Sequence, residues 1–252
     1  MSSFIRKLKT FTQLFIRSKN WHRYYLDYLG IFTENWRLTV DSLALELRPK
    51  SIDKWILAEN MILDVYRLRK IKNKKFDLIL DIGANIGAFA ISAAREFPSC
   101  KIIAFEPDKE NFAMLTTNIR LNKLTGKVKP LNSAVSVSRK KKIVLYKGTD
   151  FAANSTFKKS KGSTEVPNTE FSTLKKNITQ NTLLKMDIEG GEIEIFTKKY
   201  VDFLLSFKYI ILEYHHYLKS HKKEVLEKLL KKHNFSFKRE GLIYFIEKAS
   251  HS

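Results

Sequence analysis

The stretch that decides the fold is Leu78-Ile79-Leu80-Asp81-Ile82-Gly83-Ala84-Asn85-Ile86-Gly87. Its apolar start predicts a buried β-strand, and its two glycines predict a turn in which the backbone approaches a ligand closely. Beyond the turn, apolar residues recur three and four positions apart, which predicts a helix with one buried face. These residues are Ile86, Phe89, Ala90, Ala93, Ala94 and Phe97. A strand, a glycine turn and a helix in this order are typical of nucleotide-binding α/β folds.

The same alternation continues toward the end of the chain. Further strands are predicted at residues 102–105, 128–135, 143–146, 183–186 and 209–212, with helices in most of the intervals. Residues 147–168 show little apolar periodicity and are predicted to form a loop. Two short strands near 236–238 and 243–246 are predicted to form an antiparallel hairpin. The repeated β-α units predict a doubly wound, mostly parallel sheet with that hairpin added.

The part of the chain before residue 76 has a different character. Residues 1–36 are rich in aromatic side chains and are predicted to be helical, residues 43–47 predict a short strand, and residues 51–69 predict a helix. We therefore expect a helical N-terminal extension over residues 1–75 and an α/β domain over residues 76–250.

Composition narrows the function classes. The 252 residues carry a formal net charge of +20, which predicts attraction to polyanions such as nucleic acid, anionic lipids or acidic glycans. Lysines spread along the chain explain the same charge without any partner. The single cysteine, Cys100, excludes an internal disulfide framework and a cysteine-based zinc site. No apolar run is long enough for a signal peptide or a membrane span, so a cytoplasmic location is expected.

The first 24 residues combine positive charge with an apolar stripe. Phe4, Leu8, Phe11 and Phe15 recur at helical spacing, and the segment contains six basic residues and no acidic one. A basic amphipathic helix of this kind can make peripheral contact with a membrane. The alternative, which we prefer at this point, is a helix that packs its apolar stripe on the protein's own core.

The turn after the first core strand indicates which cofactor it binds. Gly83 and Gly87 are separated by three residues, and Asp81 stands two residues before the first glycine. A carboxylate there suits an ammonium group and repels a pyrophosphate. This favours S-adenosylmethionine over a nicotinamide dinucleotide, which stays an alternative. Glu106 ends the next strand, nineteen positions after Gly87, where an acid typically accepts hydrogen bonds from the ribose hydroxyls.

Four segments resemble successive blocks of FkbM-type methyltransferases: residues 81–87, 104–108, 184–190 and 212–215. The third block, Lys185-Met186-Asp187-Ile188-Glu189-Gly190, is the most diagnostic, and the resemblance covers residues 76–216. It implies a Rossmann-like class I methyltransferase fold with a seven-stranded sheet. It also implies S-adenosylmethionine as cofactor and O-methylation of a sugar, glycan or other small metabolite.

The resemblance also implies roles for individual residues in cofactor binding. The methionine end of S-adenosylmethionine would be held by Asp81, Gly83 and Asn85, with Gly87 completing the turn. Glu106 would hold the ribose. The adenine edge would be contacted by Asn132, Ser133 and Ala134.

Acidic residues and histidines follow two predicted neighbouring strands. Asp187 and Glu189 follow one of them, and Glu213, His215 and His216 end the next. A methyl acceptor benefits from a base that removes its hydroxyl proton, and Asp187 is the first candidate, with His215 second and Glu189 beside them. Each has a purely structural alternative, namely helix capping or loop placement. A metal site from Asp187, Glu189 and His215 is conceivable, but none is predicted.

Other functions stay open. The net charge suggests RNA methylation as an alternative function, although no RNA-binding motif accompanies it. A non-catalytic module that only binds S-adenosylmethionine is a further alternative. Ser155, in the predicted loop, is a candidate substrate contact. The predicted acceptor is therefore a small molecule or glycan, with nucleic acid as the alternative partner.

Overall fold

The computed structural model describes residues 3–147, 162–179, 181–197, 200–215 and 223–248. Ser155 and His216, two candidates from the sequence, lie outside these residues, as does the side chain of Phe4.

The N-terminal extension contains a hairpin as well as helices. Its elements are α1 (Ser3–Arg17), α2 (His22–Tyr28), β1 (Trp36–Val40), β2 (Leu43–Leu47) and α3 (Asp53–Leu57). Helix α3 runs on into a π-helical turn, Ala58–Ile62, and a 3-10 turn follows at Leu68–Lys70. Strand β1 is absent from the predictions, and the helix expected over 51–69 ends at residue 62.

The remaining elements alternate between strands and helices. They are β3 (Leu78–Ile82), α4 (Ala88–Glu96), β4 (Lys101–Phe105), α5 (Lys109–Leu121), β5 (Val128–Leu131), β6 (Ala134–Ser136), β7 (Lys142–Lys147), β8 (Gly162–Glu170), β9 (Thr182–Met186), α6 (Glu192–Ile195), α7 (Val201–Leu204), β10 (Tyr209–Glu213), α8 (Lys223–Lys232), β11 (Phe235–Glu240) and β12 (Ile243–Lys248). A 3-10 helix, Phe171–Asn177, precedes β9.

A seven-stranded sheet forms the centre of the molecule. Its spatial order is β11-β12-β10-β9-β3-β4-β5. Strands β3, β4, β5, β9 and β10 are parallel, β12 is antiparallel to β10, and β11 is antiparallel to β12, so β12 alone runs against the other strands of this sheet. The predicted Rossmann-like class I methyltransferase fold with its C-terminal hairpin is confirmed. Because β3 pairs with β4 on one side and β9 on the other, the direction of strand succession reverses at β3, which is where such sheets bind ligands.

Both faces of the sheet are covered. All five residues of β3 and of β9 are buried, as expected for central parallel strands. Leu78, Leu80 and Ile82 face one hydrophobic cluster, and Ile79 faces a second cluster built with α4 and α5. This alternation follows from the two-residue period of a strand.

The prediction of a loop over residues 147–168 is wrong for its last part. Strand β8 begins at Gly162 and pairs with β7 antiparallel and β6 parallel. Val166 is its one fully buried side chain, and the others are mostly polar and exposed. The strand is held by backbone pairing rather than by burial, so the apolar pattern could not reveal it.

Helix α1 turns most of its apolar side chains outward. Leu8 is 55% exposed, Phe11 42% and Phe15 60%. The side packed on the protein carries Thr10 and Leu14, and Ser18, directly after the helix, is buried as well. The preferred interpretation, that the apolar stripe packs on the protein's own core, is therefore wrong. The small polar side chains let α1 lie close to the π-helical turn, leaving the larger residues on the outer side. Within the described residues, no helix is long and apolar enough to cross a membrane.

A third hydrophobic cluster ties the N-terminal extension to the rest of the molecule. It includes Leu14 and Trp36 from the extension and Ile91 and Met114 from helices α4 and α5. The division into residues 1–75 and 76–250 stays a prediction, since the two parts share this core.

Candidate active site

A cavity opens at the carboxyl ends of β3, β4, β9 and β10. Of the residues proposed from the sequence, its wall includes Gly83, Asn85, Glu106, Ser133, Ala134, Asp187 and Glu189. Four others are not part of the wall: Asp81, Gly87, Asn132 and His215. The cavity lies at the reversal of strand order, so the sheet topology and the glycine turn indicate the same place.

The turn after β3 needs glycine at two positions. Gly83 has φ +81°, and a Cβ there would lie 1.8 Å from the carbonyl oxygen of Asp187. Gly87 has φ +90°, caps the N-terminus of α4, and leaves no room for a Cβ because Leu115 Cδ1 would lie 2.7 Å away. The turn is thereby pressed against the end of β9, and its inner surface faces the cavity.

Glu106 is placed by the backbone around it. Its carboxylate accepts hydrogen bonds from the N–H groups of Asn85 (2.8 Å) and Asp108 (2.9 Å). Burial raises the pKa of Glu106 to about 7, although these hydrogen bonds oppose the shift. Each carboxylate oxygen can accept more than one hydrogen bond, so the group can still receive hydroxyls from the cavity.

Asn85 brings a second acceptor to the cavity. Its φ is +50°, a conformation that Asn tolerates better than most residues. Its Oδ1 atom is buried and accepts no hydrogen bond from any described residue. A buried acceptor without a donor is costly in a folded protein, so this oxygen calls for a donor from a ligand.

The three residues proposed for the adenine edge divide into two groups. Ser133 and Ala134 line the cavity. Asn132 instead donates its side-chain amide to the carbonyl oxygens of Glu106 (2.9 Å) and Pro107 (3.1 Å). Asn132 therefore holds the end of β4 in place and lies behind the cavity wall.

Asp81 lies beneath the cavity and contacts a buried lysine. Its side chain has no exposed surface, and its carboxylate lies 3.2 Å from Lys185 Nζ. Lys185 also donates to the carbonyl oxygen of Gly83 (2.8 Å) and lies 3.9 Å from Asp187. Burial alone would lower the pKa of Lys185, but the two carboxylates hold it above its ordinary value. The lysine thus joins the glycine turn to the end of β9.

Asp187, Tyr66 and Glu213 form a connected group on the cavity wall. The Tyr66 hydroxyl donates to Glu213 (3.0 Å) and lies 3.3 Å from Asp187. Burial and, after it, the charge of Asp187 raise the pKa of Glu213 to about 7. Burial and the same two carboxylates raise the pKa of Tyr66 well above its ordinary value. This group offers a carboxylate that exchanges its proton near neutral pH.

His215 is enclosed by carboxylates. Its Nδ1 lies 3.4 Å from Glu192, and its Nε2 lies 3.7 Å from both Glu189 and Glu213. Burial would lower the pKa of His215, but the hydrogen bond to Glu192 and the charges of Asp187, Glu192 and Glu189 raise it to about 10. The ring is therefore an imidazolium at neutral pH and has no free lone pair with which to act as a base.

Three side chains bring possible metal-ligand atoms within 4.8 Å of one another: Asp187, Glu192 and His215. The two oxygens of Glu192 already accept the backbone N–H groups of Ile188 (2.7 Å) and Gly190 (2.8 Å). A metal ion would have to displace both these hydrogen bonds and the proton of the imidazolium. We assign this cluster the role of holding the loop 187–191, with Glu189 at φ +55° inside it.

The sequence assigned no role to three residues of this arrangement. Glu213 was placed at a strand end beside His215, and Lys185 was part of a motif block, but nothing in their spacing distinguished a structural residue from a catalytic one. Tyr66 gave no signal at all, because it reaches the cavity from the N-terminal extension. The face that the extension turns toward the cavity also carries Glu59 and Asn60, from the π-helical turn.

Comparison with known proteins adds the family context. The family described as "Methyltransferase FkbM domain" matches residues 81–237. The hexuronic acid methyltransferase AglP of Haloferax volcanii is 30% identical over 155 residues, which cover 60% of this chain and 62% of that protein. The methyltransferase sdnD of Sordaria araneosa is 42% identical over 101 residues, or 40% of this chain and 38% of that protein. The chain thus matches less than two thirds of the length of either relative.

Solved structures show a looser likeness. TYW2 of P. horikoshii in complex with MeSAdo has a TM-score of 0.46 and 14% identity, over 85% of this chain and 70% of that chain. A putative caffeoyl-CoA O-methyltransferase from Staphylococcus aureus has a TM-score of 0.45 and 13% identity, over 74% and 82%. Likeness at this level carries no argument about function.

Proposed function

Because this chain belongs to the FkbM family of methyltransferases, we propose that it transfers a methyl group from S-adenosylmethionine to a hydroxyl group of a sugar, glycan or other small metabolite. The observation that carries the proposal is a single cavity with two sets of groups. Glu106 and Asn85 form one set, suited to the cofactor, and Asp187, Tyr66 and Glu213 form the other, suited to a hydroxyl acceptor.

The groups around the glycine turn fit S-adenosylmethionine. Glu106 offers carboxylate oxygens for two ribose hydroxyls, and the unpartnered Oδ1 of Asn85 offers an acceptor for the ammonium group. Lys185 brings a positive charge to the cavity wall, but it is already paired with the Asp81 carboxylate and donates a hydrogen bond to the carbonyl oxygen of Gly83. These acceptors suit a cofactor with hydroxyls and an ammonium group and no phosphate. They do not suit a dinucleotide.

Asp81 would act in this scheme through Lys185. With no exposed surface, its carboxylate balances the lysine charge under the turn, which leaves Asn85 and the backbone to meet the methionine end. The proposal keeps Asp81, Gly83, Asn85, Gly87 and Glu106 as the cofactor site, with Asp81 and Gly87 shaping it. Ser133 and Ala134 would meet the adenine, and Asn132 would support them.

The acceptor hydroxyl would lie beside Asp187, Tyr66 and Glu213. S-adenosylmethionine supplies an electrophilic methyl group, which requires the acceptor oxygen opposite the sulfur. Asp187 would accept the hydroxyl hydrogen bond and orient the oxygen. Glu213, with its pKa raised to about 7, would take up the proton as the new C–O bond forms and the bond between the methyl carbon and sulfur breaks, which leaves S-adenosylhomocysteine. Tyr66 bridges the two carboxylates and fixes their positions.

The cavity wall favours an acceptor rich in hydroxyl groups. Besides Asp187 and Glu213 it presents Glu59, Glu189 and the amide of Asn60. Carboxylates accept hydrogen bonds from sugar hydroxyls and repel phosphates. A polyhydroxylated acceptor therefore fits better than an RNA backbone, although the chain's net charge is +20. The hexuronic acid named for the Haloferax relative is polyhydroxylated as well, but its carboxylate would meet the same repulsion, so a neutral sugar fits this wall better.

The test is a transfer assay with labelled S-adenosylmethionine. Purified protein would be offered glucuronic acid glycosides, neutral hexosides and transfer RNA in separate reactions. We expect label in a sugar ether that resists mild base, whereas a methyl ester would be hydrolysed. Label in RNA alone would overturn the proposal. Tight cofactor binding without transfer to any fractionated cell extract would favour a non-catalytic module instead.

A further inference from the structure

Helix α1 carries an exposed apolar face that the candidate active site does not use. At the three- and four-residue spacing of a helix, one side consists of large apolar side chains that are between 42% and 69% exposed: Ile5, Leu8, Phe11, Phe15 and Ile16. Leu14, on the opposite side, is completely buried, so the helix is already anchored to the protein. Apolar side chains contiguous over about three turns of a helix rarely face water unless they bind something.

The charge beside this face has one sign. Residues 1–26 contain no acidic residue, and Lys7, Lys9 and Lys19 are exposed. These three lysines form no ion pair with any residue that the structure describes. A helix with an apolar face and lysines at its margins complements a surface that is anionic outside and apolar within.

Aromatic rings extend the apolar face beyond α1. Phe11 contacts Phe15 (6.4 Å between ring centroids) and Tyr25 (5.7 Å), and Tyr25 stacks on Tyr28 (6.5 Å). Tyr28 in turn meets Trp55 at 5.4 Å, and these last two side chains are 48% and 40% exposed. Tyrosine and tryptophan are enriched where protein meets the headgroup region of a bilayer, because their rings have an apolar body and a polar edge.

We propose that this face, made of α1 and the aromatic rings of Tyr25, Tyr28 and Trp55, docks the protein on an anionic phospholipid membrane. Phenylalanine and isoleucine side chains enter the acyl boundary, and the lysines meet lipid phosphates. A polyanion such as RNA offers the charge but no apolar phase for Phe15 and Ile16. The bilayer offers both, which decides between the two partners.

The docking face adjoins the candidate active site. A second cavity is lined by Lys7 and Thr10 of α1 together with Tyr28 and Trp55, and Glu59 lines both this cavity and the one beside Asp187. The membrane surface would therefore lie near the entrance for the acceptor. The proposal itself does not depend on the identity of the reaction, since docking is measured without turnover.

The test is flotation of the full chain with lipid vesicles. We expect binding to vesicles of phosphatidylcholine mixed with phosphatidylglycerol to be at least about tenfold tighter than to phosphatidylcholine alone, because exposed lysines are attracted to the anionic headgroups. The Phe15→Ser/Ile16→Ser variant should bind these mixed vesicles at least about tenfold more weakly than the unchanged protein. Lys9→Glu/Lys19→Glu should lose the preference for anionic lipid.

The matched control is Val225→Ser, which removes another exposed apolar side chain (61% exposed) on α8 and should leave vesicle binding unchanged. Far-UV circular dichroism should be the same for all variants, since the substituted residues are exposed. Equal binding to both vesicle types, or unchanged binding by the Phe15/Ile16 variant, would refute the proposal. The proposal would also be refuted if the protein formed a dimer that the Phe15/Ile16 variant dissociates. A protein that binds no vesicle but binds RNA, with an affinity that the apolar substitutions leave unchanged, would refute it as well.

Discussion

Glu213 is the residue whose ionisation most directly controls the proposed reaction. Burial and the neighbouring charge of Asp187 raise its pKa to about 7. A base must be deprotonated to accept a proton, so kcat should rise with pH through about 7 and then level off. Glu213→Gln should lower kcat by a factor of about 100 and remove this rise, with cofactor affinity nearly unchanged. The measurement is a pH–rate profile of both proteins.

Two outcomes of that profile matter most. If Glu213→Gln keeps the rise near pH 7, another group is the base, and Asp187 is the next candidate. Asp187→Asn then serves as the comparison, and it should retain cofactor binding in either case. A variant with unchanged kcat at every pH would remove Glu213 from the mechanism.

His215 is expected to contribute to stability rather than to proton transfer. Its folded pKa of about 10 lies above the ordinary 6.5, so its stabilising effect is complete below pH 6.5 and is lost as the pH rises through 10. His215→Gln leaves buried Glu192 without its cation and should cost about 3 kcal/mol at pH 6. Chemical denaturation at pH 6 and at pH 10 measures this difference. Normal stability together with lost turnover would restore His215 as a catalytic residue.

The sequence predicted the cofactor residues better than the catalytic ones. The glycines and Glu106 are readable because a turn and a strand end require those residue types at fixed spacing. Asp187 was found from its place at a strand end. Tyr66 could not be found, because its contact spans 121 positions of the chain and depends on how the N-terminal extension packs.

At the scale of elements, the turn between β3 and α4 is the least tolerant of change. Gly83→Ala would place a Cβ at a positive φ and 1.8 Å from the Asp187 carbonyl oxygen, so the turn and the end of β9 must move apart. We expect a loss of about 3 kcal/mol in unfolding free energy and loss of cofactor binding. Gly126→Ala is the control, since nothing lies within 4 Å of its added Cβ. Equal stability of the two variants would show that the turn is looser than described.

Elements were predictable where burial creates a pattern. Strands β3 and β9 are buried throughout, and α4 buries one face, so their apolar spacing was sufficient. Strand β8 is polar and was missed. The π-helical turn was missed as well, because it changes the hydrogen-bond register of a helix without changing its apolar pattern.

At the scale of the whole molecule, the order of strands brings the two sets of groups together. The cofactor groups follow β3 and β4, and the acceptor carboxylates lie at the ends of β9 and β10, of which β9 is next to β3 in the sheet. The carboxyl ends of parallel strands lie at the same edge of the sheet, so residues far apart in sequence share the cavity, such as Gly83 and Lys185, which are 102 positions apart. The sequence predicted this edge, but it did not predict which residues of the N-terminal extension line it, or that the extension shares a core with α4 and α5.

The central claim is that the turn after β3 holds the methyl donor, and a crystal structure with S-adenosylhomocysteine tests it most directly. The account predicts ribose hydroxyls on the Glu106 carboxylate, the ammonium group near Asn85 Oδ1, and the sulfur facing Asp187 and Glu213. The nucleoside bound at any other surface, or a cavity that stays closed at saturating ligand, would contradict it.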